Sequence, residues 1–196
     1  SEIRTIYDIE DKLIVFKSNN SRAKNSKFNY HGNLSINPFD LDININLGDN
    51  QISKLFNFNS ILTELIKSGA LFNDHISINT SIDAKSNIKN EIFQSVKINF
   101  NIINGKINFN NTKLINDKIG SLKIENSDLF FKDNNLILNT DILIDIKNIN
   151  HLFSFLNTSK QSRKNVKNIL INLDYNFSTN QIEFHNVKID KHKAGS

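Results

Sequence analysis

A chain of 196 residues with a formal net charge of +4 is long enough for one domain with a substantial core, or for one segment of an elongated protein. The absence of Cys excludes disulfides, Cys-ligated zinc, iron–sulfur clusters and thiol catalysis. The charge is mild, compatible with anionic headgroups or nucleic acid without requiring either. With 38% hydrophobic residues, no stretch approaches the roughly 20 apolar residues that span a bilayer. The polar opening Ser1-Glu2-Ile3-Arg4 and the lack of any Met place the native start, with any signal or anchor helix, upstream.

Asn and Ile together make up about a third of the chain, a bias that reads as A/T-rich coding. It puts Asn at solvent-facing strand positions, where propensity alone would disfavour it, and makes the sequons at Asn33 and Asn176 chance matches.

Asp8, Glu10 and Asp11 read as a turn rather than a site. From there the dominant signal is alternation of apolar and polar residues, which in an extended chain builds ribbons with one apolar and one polar face. Leu41, Ile43, Ile45 and Leu47 form the first clear run. Gln51 to Lys67 then breaks the pattern, with Ile52, Leu55, Phe56, Ile61, Leu62, Leu65 and Ile66 at helical spacing and Ser68-Gly69 as a stop. Alternation resumes at Ile76, Ile78, Ile82 and Ala84, then at Ile98, Phe100 and Ile102. Asn104-Gly105, a strong hairpin signal, leads into Ile107 and Phe109. Gly120, like Gly32 before it, marks a strand start or bend. Lys132 to Asn135 separates Leu129-Phe130-Phe131 from the long run Leu136, Leu138, Ile142, Ile144 and Ile146. Asn148 to Leu156 places Ile149, Leu152, Phe153 and Leu156 at helical spacing. Ile169, Ile171, Leu173, Tyr175 and Phe177 form the last long run, followed by a turn at Ser178-Thr179-Asn180. The two helical segments are expected to cap the sheet or plug its open end; a gating or membrane-touching role is the alternative. The expected fold is mainly β with two short helices (α+β), a curved antiparallel sheet forming a groove or half-barrel with one apolar face. Residues 1–190 read as one segment of a larger protein, and 191–196 as a tail.

Catalytic signatures are missing from the pattern. His31, His75, His151, His185 and His192 have no metal-ligand spacing, and no phosphate loop, dinucleotide fingerprint or nucleophile elbow is present. Asp141 and Asp145 share a strand face, where two carboxylates are more often simply hydrated than paired for acid–base work. The basic run Lys160, Arg163, Lys164 and Lys167 reads as a solvated loop, with headgroup contact as the next reading and nucleic acid last, for lack of interleaved aromatics. No catalytic residue, metal or cofactor is expected.

Gly32 to Leu41 (a Gly, a strand, Pro38-Phe39 and a second strand), Ile119 to Leu129, and Leu152 to Leu156 with Arg163-Lys164 and Ile169 to Phe177 together resemble the AsmA-like family of Gram-negative envelope proteins. That resemblance implies a periplasmic segment, attached to the inner membrane by an N-terminal anchor, whose curved β-groove carries phospholipid or another acyl lipid or influences outer-membrane assembly. It implies no active site. The residues expected to face lipid are Ile98, Phe100, Ile102, Ile107, Phe109, Ile142, Ile144, Ile171, Leu173 and Tyr175. Envelope proteins are possible partners, and no nucleic acid is expected. The alternation is equally compatible with a closed core, which would make the chain a structural or interaction module, with a β-sandwich adhesin as a variant.

Overall fold

The computed structural model describes residues 5–10, 12–23, 26–48, 66, 68–86, 91–190 and 192–193. Thirteen strands make one large curved sheet. They are β1 (Ile6–Glu10), β2 (Leu13–Ala23), β3 (Ser26–Ile36), β4 (Phe39–Leu47), β5 (Ile76–Lys85), β6 (Ser95–Ile103), β7 (Lys106–Asn108), β8 (Lys113–Asn116), β9 (Gly120–Lys132), β10 (Asn135–Ile146), β11 (Asn168–Asn176), β12 (Gln181–Ile189) and β13 (His192–Lys193). Strand order follows chain order, and every pairing but one is antiparallel. The exception corrects the all-antiparallel expectation: β4 and β5 run parallel, from Phe39↔Ile76 to Leu47↔Ala84. A parallel pair needs a crossover that returns the chain along the whole strand, and residues 48–75 provide it.

The hairpin turns follow their local chemistry. Asn104 (φ 49°) and Gly105 (φ 69°) both take the left-handed conformation of a type I′ turn, and so do Asp133 (φ 48°) and Asn134 (φ 62°). That turn type matches the right-handed twist of the flanking strands. Asn180 (φ 56°) closes the turn between β11 and β12. The first acidic cluster is placed differently from the sequence reading: Asp8 and Glu10 lie within β1, and the turn falls at Lys12 (φ 71°).

Gly32 is also corrected. It lies mid-strand in β3, not at a strand start or bend, and it is buried. A Cβ there would sit 2.1 Å from the Asp42 carbonyl oxygen and 2.8 Å from Cζ of Phe16. The side chain is missing because the β4 backbone and the Phe16 ring take its space.

Cross-strand registry puts all the alternating apolar runs on one face. Ile45 lies beside Ile82, Ile82 beside Ile98, Ile142 beside Ile124 and Ile171, and Ile171 beside Val187. In β9 the alternation changes parity: Leu122 and Ile124 share a face with Leu129, not with Asp128. The cause is a bulge at Asn126 (φ 49°), where Asn139↔Asp128 gives way to Asp141↔Glu125. One extra residue moves every later side chain to the opposite face.

Side-chain ladders hold the polar face. Asp141 accepts hydrogen bonds from the amides of Asn126 (2.8 Å) and Asn172 (2.9 Å), one on each neighbouring strand. Asp174 accepts one from Asn139 (2.6 Å) and lies 3.1 Å from Nε2 of His185. Asn on this face therefore pairs across strands, which offsets its low strand propensity.

One α-helix lies among the described residues, α1 (Ile149–Phe155), capped by the Asn148 side chain, which accepts from the amides of Asn150 and His151. None of its residues is buried, and Phe155 is 52% exposed. It therefore does not cap the sheet, contrary to expectation: the stripe of Ile149, Leu152 and Phe153 is present, but the helix buries none of it fully. The expected helix over Gln51–Lys67 lies outside the described residues except at Ile66, which is buried. The sheet itself extends into the tail through His192–Lys193.

Replacing Gly32 by Ala is expected to cost about 3 kcal/mol, the range of an overpacked core position. Urea unfolding followed by circular dichroism measures it.

Candidate functional site

A row of backbone irregularities crosses the sheet and divides its apolar face. Strands β7 and β8 both lie between β6 and β9, so they form one interrupted strand with a break at 109–112. Side chains bridge the break. Thr112 Oγ1 accepts from the Asn99 amide (3.0 Å) and donates to its carbonyl (3.2 Å). Asn110 Oδ1 accepts from Ser127 N and Oγ, and Ser127 Oγ accepts from Phe109 N (2.7 Å). Next in the row come the Asn126 bulge and Thr140, whose hydroxyl donates to the Glu125 carbonyl (3.2 Å). Leu173 lies beside Thr140, and β12 then bulges opposite Asn172 and Leu173. Bulges increase local twist and bend a sheet, and their alignment concentrates the curvature along this line. Thr112, Ser127 and Thr140 are all buried, and each hydroxyl is satisfied within the break or bulge it occupies.

On one side of the row lies a closed cluster. Ile102 and Ile107 are 0% exposed, and Leu129 and Leu136 nearly so. Ile66, Leu71 and Phe72 of the crossover pack over them, with Phe72 edge-on to Phe131 at 5.2 Å.

On the other side, Leu114, Leu122, Ile124, Ile142, Ile144, Ile169, Ile171, Val187 and Ile189 form a continuous apolar patch whose members are only half-buried. It spans β8 to β12, four strand spacings or about 19 Å. A single leaflet's hydrocarbon depth is similar, about 15 Å. The whole chain exposes 13466 Å², against the roughly 9,500 Å² that mass scaling gives a compact globule of this size.

The ten residues expected to face lipid all share the apolar face but fall into two groups. Phe100, Ile102, Ile107 and Phe109 belong to the covered cluster or pack against it, Leu173 is buried at the dividing row, and Tyr175 lies beyond it, edge-on to Phe177 at 4.7 Å. Ile142, Ile144 and Ile171 belong to the open patch, and Ile98 lies near it, packed against buried Ala84 and Val96. Leu114, Leu122, Ile124, Ile169, Val187 and Ile189 were not among the residues expected to face lipid. The parity change at Asn126 was the readable signal for Leu122 and Ile124, and membership of the same alternating run was the signal for Ile169.

The polar candidates stay apart. Among the described residues, no group of three or more His, Asp or Glu is placed to hold a metal ion. Asp145 is exposed, whereas Asp141 is held by its two Asn partners. His31, His75 and His151 are exposed on separate elements. Arg163 is not simply solvated: its guanidinium lies 5.5 Å from the centre of the Phe153 ring, within cation–π range, and its Nε donates to the Thr158 carbonyl (3.2 Å).

No family model, curated protein or solved structure matches the chain.

The contrast between the patches is measurable. Ile102→Ala is expected to cost about 3 kcal/mol or more, transfer plus cavity, and Ile144→Ala less, about 2 kcal/mol, because that side chain is only partly buried. Denaturant midpoints of the two variants check the difference.

Proposed function

We propose that the chain is a non-enzymatic segment of a Gram-negative cell-envelope protein, located in the periplasm and anchored to the inner membrane outside this segment. In this reading the curved sheet acts as a groove or half-barrel whose open apolar patch holds the acyl chains of phospholipid or a similar lipid. The observation that carries it is the half-covered patch around Ile142, Ile144, Ile169 and Ile171. Apolar surface left against water is costly, at roughly 25 cal/mol per Å², and contiguous apolar patches mark binding surfaces. The resemblance to AsmA-like proteins supports the lipid and envelope parts of the reading.

The covered cluster refines the set of lipid contacts. Phe100, Ile102 and Ile107 then serve the fold, and the lipid contacts pass to Ile142, Ile144 and Ile171 with their neighbours Leu122, Ile124, Ile169, Val187 and Ile189. A second reading, an interaction module that assists outer-membrane assembly with a closed core, draws support from the covered cluster around Ile102 and Ile107.

Native mass spectrometry separates the two. Lipid binding requires bound phospholipid after purification or incubation, and its loss in a folded Ile144→Asp/Ile171→Asp variant. Ile102→Ala, destabilised but outside the patch, is expected to keep its lipid. A lipid-free mass after incubation with phospholipid favours the interaction module, and so does lipid content unchanged by the Asp pair.

A further inference from the structure

The positive charge of this chain is concentrated in one connection. Residues 147–167, joining β10 to β11, carry Lys147, Lys160, Arg163, Lys164 and Lys167 and no Asp or Glu. That is +5 in a chain whose total is +4, which leaves −1 for everything else. Such segregation is the electrostatic mark of a polyanionic partner.

Three structural facts narrow the partner. All five cations are exposed, and none forms an ion pair with an acidic side chain among the described residues. Lys147 Nζ reaches only a backbone carbonyl, that of Asp117 (3.1 Å). Next to these cations, α1 buries nothing and presents Phe155 (52% exposed) and Leu156 (59% exposed) in sequence. An exposed Phe-Leu pair beside unpaired Lys residues suits a bilayer interface, where apolar side chains enter the acyl boundary and cations meet phosphate groups. A nucleic-acid groove would want aromatic rings set to stack on bases, and Phe153 is already occupied by Arg163. The position also fits. The connection lies at the end of the sheet where β9 begins and β10 ends, the end at which the open apolar patch terminates. In the adjoining turn, exposed Lys118 is matched by exposed Asp117, and Asp145 is the other exposed carboxylate beside Lys147.

We infer that the β10–β11 connection docks this end of the sheet onto an anionic membrane surface, with Lys160, Lys164 and Lys167 on the headgroups and Phe155 and Leu156 in the interface. The attraction is partly coulombic and weakens as salt rises. Docking is separate from holding a lipid: the cations and Phe155-Leu156 govern the first, and Ile144 and Ile171 the second.

Flotation with vesicles tests it. The 196-residue chain is mixed with vesicles of phosphatidylcholine alone, or of equal parts phosphatidylcholine and phosphatidylglycerol, at low and high sodium chloride. Binding is expected to the anionic vesicles only, and to fall with salt. Lys160→Gln/Lys164→Gln is expected to weaken it about 25-fold, at roughly five-fold per cation removed. Phe155→Ser/Leu156→Ser is expected to cause a further loss that salt does not mimic. All four positions are exposed, so both variants keep the parent circular dichroism spectrum and unfolding midpoint. Ile144→Asp/Ile171→Asp floats as the parent does, even where its bound lipid is lost, so the two readings fail independently. Docking is overturned by equal binding to neutral vesicles, by indifference to the Lys substitutions, or by retention of single-stranded nucleic acid without vesicle binding.

Discussion

The structure depends on how one apolar sheet face is removed from water. A sheet built from alternating strands generates apolar area in proportion to its strand count, and something must cover that area. Here the described cover comes from the crossover between β4 and β5, through Ile66, Leu71 and Phe72. It reaches the cluster around Ile102, Ile107, Leu129 and Leu136 and goes no further. Among the described residues of the other connections, Phe93, between β5 and β6, packs against Ala84 and Val96, and the segment containing α1 buries nothing. Beyond the row from Thr112 to Thr140 the face is therefore only half-covered.

That row bends the sheet and divides its apolar face. Extra residues at Asn126 and at the β12 bulge, and the break between β7 and β8, would each disrupt a ladder if they occurred alone. The break and the Asn126 bulge are tolerated because Thr112, Ser127, Asn110 and Thr140 return hydrogen bonds to the backbone groups that the ladder leaves unpaired. The hydroxyls also make a polar seam between the two apolar patches. The covered patch is suited to stability, and the open patch to a ligand. The outer face, with Asn126–Asp141–Asn172 and Asn139–Asp174–His185 linked across strands, is suited to water.

The two ends of the strands differ in charge. The end bearing the β10–β11 connection carries the cations and the exposed Phe155 and Leu156, and the open patch ends there. An apolar surface that receives lipid needs a route from a bilayer that avoids water. In the proposed reading, docking of this end onto anionic headgroups places Ile144 and Ile169 next to such a route.

The sequence by itself determined the class of fold, the apolar face and most strand positions, because side-chain alternation and turn chemistry are local properties. Leu136 to Ile146 and Ile169 to Phe177 read as strands with the correct inward residues, and Asn104-Gly105 as a hairpin turn. It also showed that the histidines and carboxylates lack convergent spacing. Only the tertiary structure decided which inward residues are covered, since Ile102 and Ile144 are indistinguishable as Ile within alternating runs. Their difference lies in whether Ile66, Leu71 and Phe72 pack above them, a contact across distant sequence that no local period encodes. The parallel β4–β5 pair, expected to be antiparallel, was missed for the same reason, and the close approach that makes Gly32 necessary depends on Asp42 and Phe16, brought beside it by pairing. Burial is a property of neighbours, and the neighbours here are set by the order of the strands.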